Sequence, residues 1–129
     1  MTSSAPASVQ EHRNLIPINN FISSTGSHGS LMVTDVYIFP EKLDEFIAIV
    51  TPVVHHMRAM PECLFCEISQ DPTDPAHIRI QHSWTKGTEW FTGACESQQW
   101  FADYVKGLAG IADKSRGRSV SHFNRIPID

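Results

Sequence analysis

The segment Ile78-Arg79-Ile80-Gln81-His82-Ser83-Trp84 carries the side chain best suited to chemistry. Side chains alternate along a strand, so Ile78, Ile80, His82 and Trp84 share one face. An imidazole titrates near neutrality and can move a proton without help from a metal or cofactor. Burial would hold it in the neutral, base-competent form. A lone histidine on an apolar strand face is also commonly a hydrogen-bonded core residue, and that plain alternative stands beside the catalytic one. His122 is the second candidate, sharing a parity with Val120 and Asn124 near the end of the chain.

Other reactive groups lead less far. There are three cysteines, and Cys63 and Cys66 form a C-x-x-C inside the strand-like run Cys63–Ile68. Residues three apart on a strand point to opposite faces, so these two are expected to be buried structural thiols. His55 and His56 project away from the apolar side of a helix and are expected at solvent or an interface. His77 and His82 have opposite parity, which argues against a metal set built with Glu67. No Ser/His/Asp order, phosphate-binding glycine loop or zinc spacing is present. Neither a metal nor a cofactor is expected.

Composition sets the frame. The chain has 129 residues, 41% of them apolar, and a net charge of −4. That is one domain of a size that often completes its burial by pairing with a second copy. The absence of a basic stripe argues against a nucleic-acid partner, and no apolar run reaches the length of a membrane span. Met1–Gln10 lacks the charged start and apolar stretch of a secretory signal, so a cytoplasmic protein is expected.

These side chains must be held by a small set of elements. Residues 1–30, rich in Ser, Gly, Pro and Asn, read as a flexible arm, with Leu15–Ile18 and Phe21-Ile22 able to strap onto the domain. Residues 31–129 form the domain. A first strand, Leu31–Phe39, puts Thr34, Val36 and Ile38 on one face, with Asp35 on the other, there to meet a charge across an interface or to sit at a solvated edge. A helix from Glu41 to about Ala59 follows, with Pro52 expected to kink or restart it. Strands Cys63–Ser69 and His77–Trp84 pair through the turn Asp71–Pro75. A short helix, Thr88–Gly93, precedes a longer one, Glu96 to about Leu108, and a last strand spans about Arg118–Ile126. The order β-α-β-β-α-β predicts an α+β, ferredoxin-like fold with a four-stranded antiparallel sheet and helices on one face. Tyr37, Phe65 and Phe123 are expected on the other face, where a second subunit would pack.

Several stretches carry a resemblance. Pro52-Val53-Val54, Arg58–Leu64, Asp71-Pro72 with His82-Ser83-Trp84, and Ser97–Phe101 resemble landmarks of the antibiotic biosynthesis monooxygenase (ABM) family, over roughly Leu31–Ile126. The resemblance implies a homodimeric α+β barrel with a pocket between each subunit's sheet and helices. It also implies cofactor-independent oxygenation of an aromatic or polyketide-derived small molecule. Because the family's Trp faces the pocket, Trp84 and His82 are expected there, and the expected catalytic set is His82 as base with His122 and Trp84. Thr34, Val36, Ile38, Ile80, Trp90, Trp100, Tyr104 and Asn124 are expected to contact substrate. The chain departs from the family pattern where His82 replaces a Glu, Ile80 an Asn and Glu62 a Gly. The helical His that haem-degrading members use is replaced near Ala94, which disfavours haem chemistry. These departures keep a non-oxidative isomerase, cyclase or dehydratase, or a binding dimer without activity, as alternatives.

Overall fold

The structure, a computed structural model, describes residues 28–128; the expectations for the arm up to residue 27 lie outside it. Strand β1 is Ser30–Tyr37, helix α1 Leu43–Arg58, β2 Cys63–Asp71, β3 Asp74–Trp84, helix α2 Thr88–Phe91, helix α3 Gln99–Ala109 and β4 Arg118–Asn124. The sheet order is β2-β3-β1-β4 with every neighbouring pair antiparallel, so the ferredoxin-like expectation holds. Ser30, assigned to the arm from sequence, opens β1 instead. Gly29 just before it has φ +89°, and a Cβ there would run into the Trp84 carbonyl oxygen. Only glycine fits at that point.

Helix α1 forms because Phe46, Val50, Val53, Val54 and Met57 recur at helical spacing and are all buried. Asp44 and Glu45 in its first turn suit the positive end of the helix dipole. Pro40–Lys42 forms a separate 3-10 turn ahead of the helix. The helix runs through Pro52 without the restart that was one of the two expectations. Pro52 and Ala48 are exposed, so the Ala48 carbonyl that loses its N–H donor faces water, which satisfies it.

The β2–β3 hairpin turns at Pro72-Thr73, where the Asp71 carboxylate accepts the Thr73 backbone N–H and hydroxyl, both at 2.8 Å. Near its other end the strands are out of step: Cys63 opposes Trp84 while Phe65 opposes Ser83. Leu64 is the extra residue of a bulge, and it shifts the parity of β2. Cys63 and Cys66 consequently lie on the same, helix-facing side, opposite Trp84 and His82. The expectation of opposite faces fails because it assumed an unbroken strand.

Beyond α2 the chain makes one wide π-helical turn, Thr92–Glu96, that seats Cys95 in the core. This replaces the single short helix expected there and delays the start of α3. The sheet's outer face carries a charged network. Asp35 accepts from His77 Nε2 at 2.7 Å and from Arg79 Nε at 2.9 Å. Its partners are therefore within the chain. His77 also reaches Asp71 and stacks on Tyr37, over which the Arg116 guanidinium lies at 4.1 Å. Among the described residues, no helix is long and apolar enough to cross a membrane.

Candidate active-site cavity

The helix-facing side of the sheet is organised in rows set by strand register. One row runs Cys66, His82, Met32, His122; the next runs Ile68, Ile80, Thr34, Val120; the next joins Ile78, Val36 and Arg118. Helices α1 and α3 cover these rows without meeting them everywhere, and a cavity of about 190 Å³ remains. Its floor is Met32, Thr34, Val36, Ile80 and His82. Val50, Val53, Val54 and Met57 of α1 and Phe101, Tyr104 and Leu108 of α3 form its roof. It opens toward β4, an edge strand exposed along its whole length, where Arg118, Val120 and His122 line the rim.

His82 is 6% exposed. Its Nδ1 is 2.7 Å from the indole Nε1 of Trp84, which donates to it. Phe91 stacks on the ring at 4.9 Å. Burial, aided by the charge of His122, pushes the His82 pKa down to about 4, so the imidazole is neutral at pH 7. Burial also holds the Tyr104 phenol above its ordinary 10, against the opposing pull of Arg118. The thiols are raised for the same reason, Cys63 to about 12 and Cys66 and Cys95 to about 11. Cys66 contacts the Met57 sulfur at 3.9 Å and Cys95 that of Met60 at 3.7 Å. As protonated, largely buried thiols they are poor nucleophiles. Among the described residues, no group of three or more His, Cys, Asp or Glu could hold a metal ion.

Of the side chains singled out from sequence, His82, His122, Thr34, Val36, Ile80 and Tyr104 come together on this cavity. Trp84, Ile38, Trp90, Trp100 and Asn124 do not line it. Trp84 is fully buried one row past His82 and meets the site from behind, through its hydrogen bond to His82 and ring contacts with His82 and Phe91. Trp90 packs on Trp84 at 5.5 Å, away from the cavity. Ile38 lies past the end of β1 in the core, bridged to Ala112. Trp100 stacks at 4.8 Å on His56, giving that histidine a partner on α3. Asn124 is exposed at the end of β4, opposite Ser30.

Sequence reasoning missed Met32, Cys66, Arg118, Glu96 and Phe91 as lining residues. Met32 and Arg118 carried a usable signal, since they share parity with Thr34 and with His122. Cys66 carried none, because its orientation depends on the bulge.

Comparison with known proteins adds the following. The family model described as antibiotic biosynthesis monooxygenase matches residues 31–102, more than half of the chain. A crystal structure described as an antibiotic biosynthesis monooxygenase superposes with a TM-score of 0.66 at 18% identity, over 76% of this chain and 99% of that one. A conserved protein from Methanosarcina mazei Go1 superposes at 0.67 with 15% identity, over 76% of this chain and 93% of its own. At these identities the structures speak for the fold. No match was found among curated proteins.

Proposed function

Because the chain belongs to the antibiotic biosynthesis monooxygenase family, we propose that it is a small enzyme that oxygenates an aromatic or polyketide-derived molecule in this cavity, without a cofactor. The observation that carries the reading is a neutral, buried imidazole set into the wall of an otherwise largely apolar cavity. An apolar chamber admits the ring system, and imidazoles on its wall and rim manage the acidic proton whose loss makes the ring electron-rich. Electron transfer from that anion to O2 and recombination would give a peroxide that collapses to a quinone or hydroxylated product. In this account the protein supplies orientation, proton transfer and exclusion of water.

A homodimer belongs to the same proposal. No helix of the described residues covers the outer sheet face, which presents Leu31, Val33, Phe65 and Phe123, the last 52% exposed. A second copy would cover those side chains.

Oxygen uptake on adding an anthrone or a hydroquinone, in metal-free buffer, tests the function. The proposal expects uptake matched to product. Product formed equally well under argon would make the chain an isomerase, cyclase or dehydratase working in the same cavity. Tight binding with no product would make it a binding module.

A further inference from the structure

The hydrogen bond between Trp84 and His82 has a direction. An indole N–H can only donate, so Nδ1 of His82, 2.7 Å away, is the acceptor. A neutral imidazole carries one hydrogen, and the accepting nitrogen cannot hold it. The hydrogen is therefore on Nε2. That nitrogen has no hydrogen-bond partner among the described residues, and it is not a sealed, unsatisfied atom. The ring is clamped by Phe91 on its face and by the Trp84 indole set at 76° to it. What His82 offers the cavity is an N–H and not a lone pair.

We infer that His82 is the oxyanion donor of this cavity, held in that role by Trp84, and that His122 accepts the substrate's proton. The inference rests on the reading that a small aromatic ketone or phenol occupies the cavity, and it moves the base from His82, where strand parity put it, to β4. Both histidines sit opposite Met32, on the strands flanking β1. Two strand spacings separate their Cα atoms by about 10 Å. With both side chains rising from the same face, a ring lying over Met32 fits between them. In the step, an acidic C–H bond conjugated to the ketone carbonyl breaks and its proton goes to His122. The electron pair is delocalised onto the oxygen facing His82 Nε2, and no oxidant is consumed. A neutral imidazole is a suitable donor because it stabilises the anion without protonating it.

Four other titratable groups line the cavity: Glu96, Tyr104, Arg118 and the Cys66 thiol, which burial keeps protonated. The Tyr104 phenol keeps its proton, and Arg118 is a fixed cation. Glu96 is the rival acceptor. His122 is preferred because it shares the row of His82 and Met32 on the sheet, whereas Glu96 lies off the sheet at the end of the Thr92–Glu96 turn.

The first test is the ¹⁵N spectrum of the His82 ring in the full, unaltered chain at pH 7. Hydrogen on Nε2 and a bare Nδ1 are expected; hydrogen on Nδ1 overturns the inference. In Trp84→Phe the hydrogen should redistribute between the two nitrogens, and an unchanged pattern would remove the positioning role of Trp84. The second test uses 4-nitro-1-naphthol, whose anion is coloured. Wild type and His122→Gln should both lower its apparent pKa on binding, and His82→Phe should not; the reverse pattern overturns the assignment. The third follows hydrogen–deuterium exchange of 2-tetralone in D2O. Loss of the base should slow catalysed exchange by about 10²–10⁴-fold in His122→Gln, and Glu96→Gln should slow it clearly less. If Glu96→Gln carries the loss, the base is misassigned. None of these measurements needs O2, so they stay decisive if oxygenation fails. If neither probe binds, the ring spectrum still decides, and it needs no variant to fold.

Discussion

At the scale of single residues, the cavity depends on a histidine kept neutral. His82 binds a proton at about pH 4 when folded and near 6.5 when unfolded. Between those values the unfolded chain holds more protons at this residue, so its contribution to stability falls as pH drops from 6.5 to 4. The shift corresponds to on the order of 3 kcal/mol from this one group. Urea unfolding at pH 7 and pH 4.5 checks it: wild type should lose stability steeply, and a His82→Phe protein should lose clearly less. Equal losses in both proteins would mean that the ring is charged, or wet, in the folded state. The same residue illustrates what sequence can and cannot supply. Strand parity placed His82 toward the helices, where it lies. Parity says nothing of hydrogen-bond direction, and that direction separates a donor from a base.

At the scale of elements, all four strands and the order of helices were legible, because alternation and helical spacing are strong over Leu31–Phe39, Phe46–Met57 and Ile78–Trp84. What stayed hidden were local departures from regularity: the bulge at Leu64, the wide turn at Thr92–Glu96 and the unbroken helix through Pro52. Each is settled by packing or by solvent at one position, which periodicity averages away. The tryptophans were over-assigned to the site for a related reason. Large aromatics near a cavity more often wall the core behind it, as Trp84 and Trp90 do. On the outer sheet face, His77 of β3 sits between Asp35 of β1 and Asp71 of β2. The two carboxylates, Asp35 foremost, raise the His77 pKa above 6.5 despite opposing desolvation. For a raised histidine the stabilisation is complete below pH 6.5 and fades as pH rises through the folded value. Melting curves should therefore show wild type more stable than His77→Gln at pH 6, with the gap narrowing by pH 9. A gap that widens with pH would contradict the ion pairing.

At the scale of the whole molecule, the two sheet faces divide the work. One packs against α1 and α3 and encloses the cavity, while the other carries apolar patches and a charged network that the proposed dimer would cover. Sedimentation at micromolar concentration should give the mass of two chains. A Val33→Glu substitution, at the centre of that outer face, should shift the equilibrium toward one chain without disturbing the cavity on the opposite side. A wild-type protein that sediments as a single chain at all concentrations would remove the dimer from the account. The rim of the cavity lies on β4, an exposed edge strand, so substrate entry from that side does not require the helices to part.

A crystal structure of the full chain with 4-nitro-1-naphthol decides whether a small aromatic binds between His82 and His122. The ring should lie over Met32, with its naphthol oxygen within hydrogen-bond distance of His82 Nε2. A naphthol seated elsewhere, on the outer sheet face or in the exposed groove beside Thr51 and His55, with the cavity between His82 and His122 left empty, would contradict it.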